Sequence, residues 1–285
     1  MEIIGYVGAL FMGLSLGLIG GGGSILTVPI LVYLFAVDPV LATSYSLFIV
    51  GLTSLVGSAS HISQGNIHWR TAFVFGLPSI IGVYLTRLYV VPIIPREIGE
   101  IGDFIITKPL FLLMLFAVIM LLASISMIKK PKKELLISND KLPMANEQPT
   151  TSNNLKQSQT IEYNYPLILV EGLVVGGITG LVGAGGGFLI IPALVLLAKL
   201  PMKQAIGTSL IVIALKSLIG FTGDLSGKEI IDWQFLLAFA SIAIVGIVAG
   251  SFFAKKISNE ILKPAFGWFV LVMGIYIIVK ELFLK

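Results

Sequence analysis

The chain reads as an all-α polytopic membrane protein of two inverted repeats, each a glycine-broken helix pair plus three transmembrane helices. Composition, the recurrence of bilayer-length apolar runs and an internal duplication predict this class. Of 285 residues, 56% are hydrophobic and only 12% charged, with a mean hydropathy of +0.99, whereas soluble domains are about half apolar and a quarter charged. A hydrocarbon core about 30 Å thick takes roughly 20 apolar helical residues, and it obliges the backbone crossing it to satisfy its own polar groups.

Long apolar runs lie near 3–20, 24–37, 40–60, 69–91 and 109–128, and again near 165–182, 188–200, 204–223, 233–254 and 262–284. The first follows Glu2 with no basic stretch and no small-residue cleavage pattern, so it is expected to be retained rather than removed as a signal. The runs 24–37 and 188–200 are too short for ordinary spans, and each follows a glycine cluster, which predicts half-helices or re-entrant hairpins. Residues 129–163 change character. Lys129, Lys130, Lys132 and Lys133 lead into sequence rich in Ser, Asn, Gln, Thr and Pro, which predicts a disordered cytoplasmic linker between a first repeat at 1–128 and a second at 164–285.

Propagating that side outward puts His61, His68, Arg70, Lys199, Lys203, Lys255, Lys256 and Lys263 inside. Asp38, Arg96, Glu97, Glu100, Asp103, Asp224, Glu229, Asp232 and both termini then fall outside. Each half makes a net odd number of crossings, so the halves are expected to have opposite orientations.

Sliding the sequence by 163 residues aligns 17–47 with 180–210 without a gap and gives 13 identities in 31 positions, where chance gives roughly three. The pairs include Gly20 with Gly183, Gly22 with Gly185, Gly23 with Gly186, Pro29 with Pro192, Ala42 with Ala205 and Ser46 with Ser209; Trp69 pairs with Trp233 one residue out of step. Glycine costs a helix about 1 kcal/mol against Ala. The clusters at 20–23 and 183–187 are therefore expected to unwind it at membrane depth, a combination that marks the central site of transporters with inverted repeats. Close helix packing is the alternative use of such glycines. Neither cluster carries the Lys and Ser/Thr of a phosphate-binding loop.

The block Gly183, Gly185, Gly186, Gly187, Phe188, Leu189, Ile190, Ile191, Pro192, followed by 205–210 (Ala-Ile-Gly-Thr-Ser-Leu) and echoed by 20–29 and 42–47, resembles the signature of the TauE/SafE sulfite exporter family. The resemblance covers the whole chain apart from the linker. It implies a secondary transporter of small oxidised-sulfur or organosulfonate anions.

Several residues are candidates to bind such a substrate. Lys216 sits in mid-run, where a charge costs at least about 2.5 kcal/mol, so a substrate anion or a carboxylate such as Glu171 is expected to compensate it. Ser44, Ser46, Thr208 and Ser209 are hydroxyls that could donate to an anion or bond back to their own helices. Gly20, Gly22, Gly23, Gly183, Gly185, Gly186 and Gly187 would free backbone N–H groups at half-helix starts, where a dipole favours negative charge. His61 and Arg87 lie near run ends and read as interfacial.

With no Cys and both histidines in one short loop, no thiolate site, zinc-protease motif or Ser-His-Asp set is expected, and hence neither an enzyme nor a cofactor. The partners expected are a small anionic substrate and the lipid bilayer, not nucleic acid; oligomeric state is not readable. A channel, or a structural or receptor-like membrane protein without flux, is the alternative in function.

Overall fold

The computed structural model describes residues 2–101, 104–128, 165–196, 198, 200–225, 231–254 and 259–283. The predicted linker 129–163 lies outside the described residues, as do Asp103, Lys199, Glu229, Lys255 and Lys256. The architecture is helical: α1 (Glu2–Ile19), a 3-10 turn (Gly21–Leu26) running into α2 (Thr27–Leu34), α3 (Pro39–Ser63), α4 (Trp69–Leu85), a π turn (Thr86–Val90) and α5 (Val91–Ile93). A small antiparallel hairpin, β1 (Glu97–Ile101) with β2 (Phe104–Thr107), precedes α6 (Lys108–Ile128). Then come α7 (Tyr165–Val182), α8 (Gly187–Leu196), α9 (Met202–Asp224), α10 (Trp233–Phe253) and α11 (Asn259–Phe283). Among the described residues, five helical segments are long and apolar enough to cross a membrane: Pro39–Ser63, Trp69–Ile93, Lys108–Ile125, Lys203–Asp224 and Trp233–Phe253. The hairpin at 97–107 was not legible in the sequence.

Local chemistry sets the helix starts. Asp38 caps α3 by accepting from the Val40 and Leu41 N–H groups at 2.8 and 3.3 Å, His68 Nδ1 caps α4 through the Thr71 N–H, and Asp232 caps α10 through Phe235. In the span Trp69–Ile93, Pro92 lacks an N–H, and just before it the Val91 N–H reaches back to the Thr86 carbonyl, which widens the turn carrying Arg87.

A shift of 163 residues carries the bounds of α1 onto those of α7 and the start of α3 onto that of α9. Helix pairing obeys the same exchange. α1 packs on α10 as α7 does on α4, α10 meets α3 as α4 meets α9, and α3·α9 and α6·α11 map onto themselves. Gly13 faces Ala243 and Gly17 faces Ile247 with backbones touching, while Gly172 faces Phe75 and Gly176 faces Ser79, so α1 runs parallel to α10 and α7 to α4. These are small residues four apart, the usual device for close approach of helices in lipid. Gly51 against Leu218 and Gly220 against Leu47 make α3 and α9 antiparallel.

The two halves therefore interlock, with α3 and α9 at the centre. Ile81, Leu122 and Val245 are exposed, as a lipid-facing surface requires. The loop with His61 and Asn66 packs on Gly207 of α9's first turns, so the end holding His61, His68 and Arg70 also holds Lys203. At the other end the Tyr45 hydroxyl accepts from the Asp232 N–H at 2.7 Å, and Asp38 and Asp224 lie there too.

Candidate functional site

Both glycine clusters break their helices, in different ways. At the first, Gly20 takes φ +76° and the chain re-enters as a buried 3-10 turn containing Gly21, Gly22 and Gly23. At the second, Gly183, Gly185 and Gly186 all take positive φ, at +74°, +62° and +68°, and α8 begins at Gly187. These angles suit glycine because a side chain in the left-handed region costs about 1–2 kcal/mol. α2 returns alongside α1, with Leu16 against Gly23, Gly8 against Ile30 and Gly5 against Phe35. The 3-10 turn plus α2 spans about 24 Å, and α8 about 15 Å, both less than a bilayer.

The two hairpin tips pass each other. Gly20 lies against Ile206 near the start of α9 and Gly183 against Thr43 near the start of α3, positions that the duplication makes equivalent. Between them the backbones of Gly21 and Gly187 touch, so no side chain fits at either. In α8 the Gly186 carbonyl accepts from the Leu189 and Ile190 N–H groups, each at 3.0 Å. This leaves the Gly187 and Phe188 N–H groups of the first turn without an intrahelical acceptor.

Lys216 is fully buried and donates from Nζ to the Thr179 hydroxyl at 2.9 Å. Its ammonium lies over the second break: a carbon added to Gly186 would stand 2.7 Å from Nζ. Among the described residues no carboxylate pairs with it. Glu171, the alternative partner, lies eight residues before Thr179 on α7, about 12 Å along the helix axis.

The hydroxyl candidates are spread out. Thr208 accepts from the His68 N–H at 2.9 Å, and Ser209 donates to the Ile206 carbonyl at 2.8 Å. Both lie two helical turns from Lys216 along α9, about 10–12 Å. Ser46 is buried with no partner for its hydroxyl among the described residues. Ser44 lies at the other end, where it accepts from Arg87 at 3.4 Å.

Arg87 is buried, not interfacial. Its Nη1 donates to Thr43 Oγ1 at 3.0 Å and pairs with Asp224 Oδ2 at 3.2 Å. The π turn and the close approach of Gly223 on α9 admit it. Thr43, Thr179, Arg87 and Asp224 are the polar residues of this region that sequence reasoning missed; a lone Arg four residues before the end of an apolar run was the available signal. His61 is partly buried, with no partner for Nδ1 among the described residues. The apolar groove between α4 and α9, lined by Trp69, Phe73, Leu77 and Leu215, holds none of these groups. No cluster of three metal-ligating side chains occurs among the described residues.

The geometry is that of a buried cationic centre at a broken helix. A family model described as "Sulfite exporter TauE/SafE" matches residues 6–277. A protein of Xylella fastidiosa (strain 9a5c) named "Probable membrane transporter protein" is 28% identical over 270 residues, covering 94% of this chain and 91% of its own length. A Bacillus subtilis (strain 168) protein, "Probable membrane transporter protein YunE", is 25% identical over 277 residues, covering 93% of each chain. A similarly named protein of Methanocaldococcus jannaschii is 28% identical over 290 residues, covering 97% of this chain and 92% of its own. No solved structure matches.

Proposed function

Because the chain belongs to the sulfite exporter TauE/SafE family and is thus a multi-pass membrane transporter rather than an enzyme, we propose that it carries a small oxidised-sulfur anion or organosulfonate by alternating access between two inverted repeats. Lys216 carries the reading. A fully enclosed ammonium with one neutral partner is costly, and a substrate anion beside the 183–187 break would compensate it. The Gly187 and Phe188 N–H groups add donors at the positive end of α8.

The antiparallel α3·α9 pair, flanked by parallel α1·α10 and α4·α7 pairs, supports the inverted arrangement of 1–128 and 164–285. Gathering His61, His68, Arg70 and Lys203 at one end supports a cytoplasmic placement for that end, for 129–163 with it, and an external one for the termini. Gly20, Gly22 and Gly23 serve as the opposing tip, with Ser44, Ser46, Thr208 and Ser209 along the route between the two ends.

Proteoliposome flux with sulfite, an alkanesulfonate and acetate as probes tests this. Saturable, gradient-coupled movement of the sulfur oxyanions, lost in Lys216→Met, is the expected outcome. Conductance without saturation would make it a channel, and no flux of any probe would overturn the assignment.

A further inference from the structure

We propose that Arg87 is a second anion-binding residue, taking an oxyanion on the Nε and Nη2 edge of its guanidinium, with the Asp224 carboxylate as an internal competitor for that cation. The inference rests on the transport reading above and names the group that would select substrate chemistry.

The guanidinium has five N–H donors, yet every contact runs through Nη1, to Thr43, Ser44 and Asp224. Nε and Nη2 are buried with no partner among the described residues, and the side chain is 0% exposed. A desolvated donor left unmade is expensive, and here two are left on one edge. That edge presents two parallel N–H groups, the fork that matches two oxygens of a carboxylate, sulfonate or sulfite.

Its surroundings tie the edge to the candidate site. Thr43, which accepts from Nη1, is the residue against which Gly183 packs. The break at 183–187 is thus flanked by two buried cations, Arg87 through Thr43 at Gly183 and Lys216 at Gly186. Among the described residues Asp224 pairs with Arg87 alone, from a side chain 13% exposed. The arrangement is one-sided: in the duplicated register Ser251 stands where Arg87 does, and His61 where Asp224 does. The fork therefore recognises oxyanion geometry at the Asp224 end alone.

The test is equilibrium binding to the purified full-length protein, with sulfite, ethanesulfonate, acetate and chloride as separate probes, for wild type, Arg87→Lys, Asp224→Asn and Lys216→Met. Arg87→Lys keeps a cation for Asp224 but has no fork, and weakens the two-oxygen anions by about tenfold or more while leaving chloride unchanged. Asp224→Asn, which removes the competitor, tightens them. Equal oxyanion binding by wild type and folded Arg87→Lys overturns the proposal and leaves the Lys216 reading standing if Lys216→Met still weakens them. Should Arg87→Lys fail to fold, Asp224→Asn decides: unchanged or weaker oxyanion affinity overturns the proposal. No binding of any oxyanion to wild type overturns this proposal and the transport reading together.

Discussion

Lys216 Nζ donates to the Thr179 hydroxyl at 2.9 Å, joining the centre of α9 to the last turn of α7 just ahead of the second helix break. The pair is asymmetric between the halves, because the duplication puts Thr53 where Lys216 stands and Leu16 where Thr179 stands. A cation buried against a single neutral partner costs the fold stability.

Lys216→Met should therefore raise stability while abolishing flux. A buried ammonium with no counter-charge carries a desolvation penalty that an apolar side chain of similar volume does not. Thermal unfolding and liposome flux measured on one preparation check this. Adding Glu171→Gln should restore nothing, since the carboxylate is too far along α7 to be the partner; rescue of flux by the double substitution would contradict the geometry.

Gly186→Ala should lose both stability and transport, whereas Gly65→Ala should lose only stability. Both glycines have φ of +68°, so both pay about 1–2 kcal/mol of backbone strain. At Gly65 nothing lies within 4 Å of the added carbon, while at Gly186 it would collide with Thr179 and crowd Lys216 Nζ. Equal flux in the two variants would separate the break from the cation.

Gly176→Leu and Gly246→Leu should be among the most damaging single changes. Each would drive a side chain into a backbone carbonyl of a partner helix, Ser79 and Leu10 respectively, and backbone cannot rotate away as a rotamer can. Yield of folded protein after detergent extraction, against Leu substitutions on the exposed face of the same helices, is the measurement.

Cysteines introduced at Gln64 and Glu97, both exposed and at opposite ends of the bundle, should label from opposite sides, Gln64→Cys from the cytoplasm. The chain has no native Cys to confuse the assay. Labelling of both from one side would exclude the orientation.

The helices were legible in the sequence to within a few residues at their ends, because hydrophobic run length is carried by the sequence alone. The duplication was legible for the same reason as the breaks: Gly20 and Gly183 are needed for a backbone angle and leave a mark in the residue itself. Polar contacts between halves were not. Arg87 looked interfacial because its distance from the segment end was counted along an ideal helix, and only the π turn and the packing of α4 on α9 bury it against Asp224. Thr179 was invisible because nothing in α7 alone marks which of its faces meets Lys216. The 97–107 hairpin is short and mixed in polarity, so it carried no period.

The glycine-lined seams have a bearing on how the polypeptide is made. α1 is synthesised first, but the helix it seats against, α10, begins only at Trp233, and α4 must wait for α7 at Tyr165. Throughout translation of the intervening chain, the small-residue faces of α1 and α4 stand without their mates, because the helices they pack on lie in the second half. Closure of the bundle therefore waits on the second half of the chain, whose α7 and α10 seat against α4 and α1.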